Sequence, residues 1–253
     1  MSAFEPVSAT RLYRMIADQI TARIERGDFP PGTRLPSERE LAVQMSVSRT
    51  SVREALIALE IAGYVEVMMG SGVYVCDFAR TVGQRAPKPV LKNTGLDIRA
   101  SGTHPVHADV GAFELLAVNT IVEPAAAAMA AIHATAEQRE AIVVAERAVI
   151  RSETPRLHNR LFHLAIGEAT GNVAMALTVR NLWDIHDESV MFNKLEQHIV
   201  DHRGAWELAE NEHAAVVKAI LAGDPVQAKR AMKRHCDGSR RRLGQDFRTS
   251  TLL

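Results

Sequence analysis

The first third of the chain changes from a helical spacing of hydrophobic residues to an alternating one. Four apolar residues recur every four positions: Leu12, Ile16, Ile20 and Ile24. This spacing places them on one face, so it predicts an amphipathic helix over 10–26 that Gly27 ends. Four valines alternate with other residues on either side of a turn at Gly70: Val65, Val67, Val73 and Val75. This second pattern predicts a β-hairpin.

Two short helices are predicted between these patterns. Ser37 is an N-cap candidate, and Glu40 three residues later completes a capping box. A break at 46–48 follows, and Ser48 caps a second helix that Gly63 ends. The order helix, turn, helix and hairpin predicts a winged helix-turn-helix, whose second helix enters the major groove of DNA.

The second of these helices begins with residues that suit DNA. Its first turns hold Ser48, Arg49, Thr50 and Arg53. Hydroxyls and arginines at a helix N-terminus suit phosphates and guanine edges. These residues are therefore candidates for DNA contacts.

From residue 109 onward, the hydrophobic pattern predicts helix after helix. The predicted segments are 109–133 with a bend or break at Pro124, 135–151 capped by Thr135, 154–171 capped by Thr154, 172–191, a short segment at 195–200, 204–221, and 226–243 capped by Asp224. The fold class is mainly α: an N-terminal winged helix-turn-helix, then an all-α antiparallel bundle of six or seven helices. We expect a DNA-binding domain at 1–78, a linker at 79–108 and a bundle domain at 109–253.

Composition narrows the class of protein. The 253 residues are 47% hydrophobic and 5% aromatic, and the formal net charge is +0. The net charge therefore does not indicate a DNA-binding protein, and the prediction of DNA binding depends on where the arginines lie. Two distant cysteines fit no metal or redox spacing, and we find no signal peptide and no apolar run long enough to span a membrane. We expect a cytoplasmic protein without a membrane partner.

Three histidines and an amide in the bundle form a candidate metal site. Asn159 and His163 share a helix face, and His213 and His235 lie on two later helices. Three imidazoles and one oxygen ligand suit a divalent transition metal such as Zn or Ni. The alternative is that they are structural histidines with ordinary hydrogen bonds.

The N-terminal motifs LPSEREL, VSRTSVREAL and GSGVYV closely resemble the winged helix-turn-helix of the GntR family of bacterial transcription regulators. The resemblance implies DNA contacts from Arg39, Arg49, Thr50 and Arg53, and a minor-groove approach by the wing at Gly70. The family's wing usually carries a basic residue before its first glycine. Here Met68 and Met69 stand in that place.

The C-terminal half resembles the FCD effector domain of FadR-type GntR regulators. The resemblance lies in NRLFHLAIGEATGN and EHAAVVKAILAGDPVQAKRAMKRH. It implies a metal held by His163, His213 and His235, with Asn159 where the family has an aspartate. It also implies that Asn119 and His186 face the effector, at places where the family tends to have arginine. The details most resemble regulators of hexuronate and sugar-acid catabolism.

These observations together predict a transcription regulator rather than an enzyme. We expect a homodimeric repressor of a palindromic double-stranded DNA operator, controlled by a small organic or sugar acid beside the metal. Two alternatives remain open. One is a helical metalloenzyme, although no general base or nucleophile stands at a convincing spacing. The other is a dimerisation module without a ligand, fused to a DNA-binding domain.

Overall fold

The computed structural model describes residues 12–76, 110–151, 155–198 and 203–244. These residues belong to two compact units, one within 12–76 and the other within 110–244. The expected linker at 79–108 and the Thr154 cap lie outside the described residues. The domain boundaries given above therefore stay a prediction.

The first unit is a winged helix-turn-helix, as the sequence predicted. Its elements are α1 (Leu12–Glu25), α2 (Glu38–Met45), α3 (Arg49–Ile61), β1 (Val65–Met68) and β2 (Gly72–Val75). The strands pair antiparallel, with Val65 opposite Val75 and Met68 opposite Gly72. The apolar face of α1 packs on α3, where Ile20 and Leu56 are each at most 1% exposed.

Local side-chain chemistry sets the ends of α2 and α3. The Ser37 hydroxyl accepts from the Glu40 N–H at 3.3 Å, and the Glu40 carboxylate accepts from the Ser37 N–H at 2.7 Å. Both halves of the predicted capping box are therefore present. Ser46 ends α2 in the left-handed region at φ 55°. The Ser48 hydroxyl then accepts from the Ser51 N–H at 3.1 Å and starts α3.

The second unit is a helical bundle with seven helices in its described residues. They are α4 (Ala112–His133), α5 (Ala136–Arg151), α6 (Pro155–Glu168), α7 (Val173–Glu188), α8 (Val190–Gln197), α9 (Arg203–Leu221) and α10 (Pro225–Leu243). The central helix α4 packs against α10, α7, α6 and α9. The core between them is built from small and medium side chains, including Ala127, Phe162, Ile220 and Met232.

Two helix starts in the bundle follow the sequence prediction, whereas the junction between the segments predicted at 172–191 and 195–200 does not, because the second helix is Val190–Gln197. Thr135 and Gln138 form a reciprocal cap at the start of α5, and the Asp224 carboxylate caps α10. The helix predicted to run to residue 191 instead ends at Glu188. The Ser189 hydroxyl accepts from the Phe192 N–H at 3.1 Å, so it starts α8 where we had expected continuous helix.

Helix α4 runs through Pro124 without a break. Because this proline has no N–H, one backbone hydrogen bond is missing there, but the helix continues on both sides. By length and composition alone α4 is apolar enough to cross a membrane, with a mean hydropathy of 1.7 over its most apolar window. Half of that window is buried inside the bundle, which is the position of a core helix.

Candidate functional site

The candidate DNA-contacting residues at the start of α3 lie at the surface. Ser48 and Arg49 are exposed and Thr50 is partly exposed. Arg39 on α2 is also exposed. The N-terminal end of α3 therefore presents hydroxyls and a guanidinium, which together suit a phosphate backbone and guanine edges.

Arg53 is placed differently from the expectation. It is 2% exposed and pairs with the equally buried Glu38 of α2, with Nε donating to Oε1 at 2.8 Å. A guanidinium held in this way is not displayed to DNA. In this conformation Arg53 fixes α3 against α2, and its expected contact with DNA stays a prediction.

The wing obtains a basic side chain from outside its own turn. Gly70 lies exposed at the tip with φ 73°, beside the exposed Met68 and Met69. The guanidinium of Arg34 packs so closely on Gly72 that a Cβ at residue 72 would lie within 3.0 Å of Arg34 Nε. Arg34 is exposed, and its backbone forms an isolated antiparallel β-bridge with Tyr74 on β2. A positive charge thus accompanies the wing although none precedes Gly70 in the turn.

The bundle brings three candidate ligands to one point. His163 on α6, His213 on α9 and His235 on α10 each offer a ring nitrogen, and these atoms all lie within 4.8 Å of one another. All three side chains are buried, with exposures of 2%, 0% and 4%. Nε2 of His213 and Nε2 of His235 are 3.3 Å apart.

His163 is oriented by a buried carboxylate. Its Nδ1 hydrogen-bonds Glu123 of α4, and the Trp183 indole N–H donates to the other Glu123 oxygen at 2.9 Å. Burial raises the pKa of Glu123, but His163 and Trp183 outweigh it, so the pKa lies below the ordinary value. Because the ionised carboxylate accepts from Nδ1, Nε2 is the ring nitrogen of His163 that is left for a ligand. That atom is buried and has no hydrogen-bond partner among the described residues.

His235 is oriented in the same manner. Its Nδ1 donates to Glu212 of α9 at 3.0 Å, and Arg242 donates to both Glu212 oxygens at 2.9 and 2.8 Å. Burial raises the pKa of Glu212, but the hydrogen bonds from His235 and Arg242 lower it to about 2. Burial lowers the pKa of His235, with Glu212 opposing, and burial together with the neighbouring histidines lowers that of His213 well below its ordinary value. Neutral imidazoles are the form that binds metal.

This arrangement fits a divalent transition metal. Two nitrogens bound at the usual Zn–N distance of about 2.0–2.1 Å at a tetrahedral angle lie roughly 3.4 Å apart, close to the His213–His235 separation. Carboxylates on the far ring nitrogens are the partners that metal-binding histidines commonly have. Asn159 lies on the wall of the cavity that His163 and His235 also line, and its side-chain oxygen is buried without a hydrogen-bond partner among the described residues.

A cavity of about 110 Å³ opens beside this cluster. Its polar walls include Asn119, Glu123, Arg156, Asn159, His186, Glu196, Ser239 and Arg242, and its apolar walls include Leu116, Trp183, Phe192 and Trp206. Asn119 of α4 and His186 of α7 lie side by side, with Nδ2 of Asn119 2.8 Å from Nε2 of His186. The lining combines apolar walls with several convergent polar groups, which is typical of a site for a small organic ligand.

The sequence did not point to the carboxylates and cations around the histidines. The groups that surround the histidines reach them through contacts between residues that are distant along the chain. These groups are Glu123, Glu212, Trp183 and Arg242. A weak signal exists for one of them, since Glu212 directly precedes His213 and so starts from the same turn of α9. The packing of α9 against α10, which brings Glu212 to His235, cannot be recognised from the local sequence.

Comparison with known families agrees with both units. Residues 12–75 match the family described as "Bacterial regulatory proteins, gntR family", and residues 114–238 match the FCD domain. The chain belongs to the GntR family and is a transcription regulator with an FCD effector domain. The prediction that it is a regulator rather than an enzyme is confirmed by its relatives.

Several curated relatives align over nearly the whole chain. The Uxu operon transcriptional regulator of Escherichia coli (strain K12) is 35% identical, over 93% of this chain and 88% of that protein. The Exu regulon transcriptional regulator of the same strain is 32% identical, over 91% and 83%. The Uxu operon regulator of Haemophilus influenzae is 29% identical, over 92% and 82%.

Proposed function

We propose that this protein is a cytoplasmic, homodimeric repressor that binds a palindromic double-stranded DNA operator. Arg39, Ser48, Arg49 and Thr50 would make the principal contacts through α2 and α3, with the wing at Gly70 and Arg34 approaching the adjacent groove. The exposure of these groups at the N-terminal end of α3 supports this proposal. A dimer would place two copies of α3 in successive major grooves, which explains why a palindrome suits it.

The signal in this proposal is a sugar acid bound in the bundle cavity. The resemblance to regulators of hexuronate catabolism, together with the Uxu and Exu regulators among the relatives, supports that class of ligand. The observation that carries the proposal is the convergence of His163, His213 and His235 on one point at the cavity wall. Those three residues, with Asn159, would hold one divalent ion such as Zn or Ni, and the ion would supply positive charge for a carboxylate.

The residues that line the cavity show which helices a bound acid would contact. The cavity is lined by residues of α4, α6, α7, α8, α9 and α10, so a ligand within it contacts most of the bundle helices at once. A ligand shifts a protein between two arrangements only if it binds one of them more tightly. We propose that the acid-bound arrangement has the lower operator affinity.

The test is fluorescence anisotropy with the protein's own promoter DNA, using zinc-loaded wild type titrated with D-glucuronate and D-galacturonate. We expect one of these acids to lower operator affinity. Arg49→Ala should lose specific binding, because a base-reading arginine is worth about 1–3 kcal/mol and a dimer loses it twice. His235→Ala should bind DNA but no longer respond to the acid, and elemental analysis should show that it has lost the metal.

His158→Ala is the matched control, since His158 lies on α6 with His163 but does not line the cavity. It should keep its metal and its response. Unchanged operator affinity in Arg49→Ala would refute the role of α3. A response to the acid in the His235→Ala variant would refute the role of the metal.

One alternative is a bundle that only dimerises. It predicts a closed core in which the buried polar atoms are hydrogen-bonded. The described residues instead include buried polar atoms without partners on Asn119, Asn159, His163 and His186, all at the cavity wall. Buried polar groups are usually hydrogen-bonded, so these atoms favour a ligand-binding role.

A further inference from the structure

The Asn119–His186 pair forms a separate polar feature in the cavity, apart from the three histidines. Asn119 is 6% exposed and His186 is 3% exposed, and their side chains are joined at 2.8 Å. His186 stacks on Trp183 with ring centroids 4.9 Å apart and meets the edge of Phe192 at 4.1 Å. These contacts fix the imidazole plane, so the pair is a rigid part of the wall.

Each member of the pair has a second polar side-chain atom that the hydrogen bond between them does not use. Oδ1 of Asn119 and Nδ1 of His186 are buried and have no hydrogen-bond partner within the part of the chain that the structure describes. Both residues line the cavity. Because a native protein rarely leaves buried polar atoms unpaired, these two atoms indicate a ligand with complementary donors and acceptors.

The surroundings of the pair are unfavourable for a second negative charge. Burial lowers the pKa of His186 to about 3, so its ring is neutral at physiological pH. Arg156 lies near it, but its guanidinium already contacts Glu196 at 3.2 Å and Asp187 at 3.5 Å. Glu123 and Glu196 add carboxylates to the same wall. A ligand carboxylate would meet no uncommitted positive charge among these groups.

We propose that the Asn119–His186 pair binds an uncharged, hydroxyl-bearing part of the effector, and that the effector is therefore a hydroxylated monocarboxylic acid and not a dicarboxylic acid. This inference rests on the proposed function, in which the single carboxylate lies toward His163 and His235. A hydroxyl group both donates and accepts hydrogen bonds, so it can satisfy an amide oxygen and an imidazole nitrogen in either tautomer.

The test compares sugar acids with one carboxylate and with two. Calorimetric titration of the zinc-loaded, full-length protein uses D-glucuronate against D-glucarate, and D-galacturonate against galactarate. In each pair the four internal hydroxyl-bearing carbons have the same configuration. At the other end the uronate has an aldehyde, mostly closed as a ring hemiacetal, and the aldarate has a second carboxylate. We expect the preferred uronate to bind at least tenfold more tightly than its aldarate partner.

Asn119→Arg should reduce or invert this preference, because it places a positive charge beside His186. Asn211→Arg is the matched control: Asn211 lies exposed on α9, away from the cavity wall, and should keep the wild-type ratio. Asn119→Ala is the smaller change in case the arginine variant does not fold, and it should weaken uronate binding while leaving the zinc content unchanged.

The outcomes separate this inference from the proposed function. An aldarate that binds wild type as tightly as its uronate would overturn the inference and leave the effector site standing. An unaltered ratio in a folded Asn119→Arg variant, or undiminished uronate binding in Asn119→Ala, would also overturn it. If no acid binds wild type at all, the proposed effector function fails and this assignment fails with it.

Discussion

Gly238 lies in the interior of α10, where glycine is about 1 kcal/mol less favourable than alanine. A Cβ at this position would collide with the Glu212 carboxylate, which lies against the backbone there. Gly238→Ala should therefore displace Glu212 from His235 and Arg242. We expect a net loss of about 1–3 kcal/mol in the free energy of unfolding, the usual cost of overpacking. Urea unfolding of the variant measures this loss.

The control for this residue is a double-mutant cycle. In a Glu212→Ala background the closest obstruction is removed and only the flexible end of Arg242 is near, so Gly238→Ala should become neutral or stabilising through helix propensity. Destabilisation by the same amount in both backgrounds would show that Glu212 is not the reason for glycine at this position.

At the scale of elements, the buried pair Glu38–Arg53 joins α2 to α3. Both side chains are 2% exposed, so removing Glu38 leaves the Arg53 guanidinium buried without this carboxylate. Glu38→Ala should cost about 3–5 kcal/mol, whereas the double variant Glu38→Leu with Arg53→Met should recover most of that loss. Thermal and urea unfolding of the N-terminal unit would measure both.

The same double variant tests whether Arg53 acts only through the fold. If so, the variant should bind its operator with nearly wild-type affinity, because Arg39, Arg49 and Thr50 remain at the surface. Operator binding that is lost while stability is recovered would return Arg53 to the DNA-contacting set.

Helix boundaries were predictable from the sequence wherever one side chain caps its own backbone. Ser37 with Glu40, Thr135 with Gln138, and Asp224 all act within three residues, so their positions carry the information. The end of α7 was missed because Ser189 lies inside an apolar pattern that continues past it. The burial of Arg53 was not predictable for a different reason, since it depends on how the turn at 46–48 folds α2 onto α3.

At the scale of the whole molecule, the candidate site was predictable in its ligands but not in its surroundings. The three imidazoles and the Asn159 carboxamide can be identified as candidate ligands along the chain. In the structure His163, His213 and His235 do converge. The carboxylates of Glu123 and Glu212 come from other helices, and their contacts exist only after the bundle forms. The charge of the cavity is thus a property of packing, which explains why local patterns did not reveal it.

Burial of neutral histidines couples the stability of the bundle to pH. The pKa of His186 is about 3 in the folded protein, against about 6.5 in the unfolded chain. Above pH 6.5 both states are neutral and the free energy of unfolding is undiminished. As the pH falls below 6.5 the unfolded chain takes up the proton first, so stability should fall by about 1.4 kcal/mol per pH unit for this histidine until the folded pKa is reached.

His186→Gln should remove this contribution, so the wild-type profile between pH 6.5 and 4.5 should be steeper than the variant's by about 1.4 kcal/mol per unit. Both tryptophans of the chain, Trp183 and Trp206, lie in the bundle, so urea unfolding followed by their fluorescence reports on this unit alone. A chelator in every sample keeps metal release out of the measurement. Parallel profiles for the two proteins would mean that His186 is hydrated or protonated in the folded state, and the cavity wall beside Asn119 would then not be neutral.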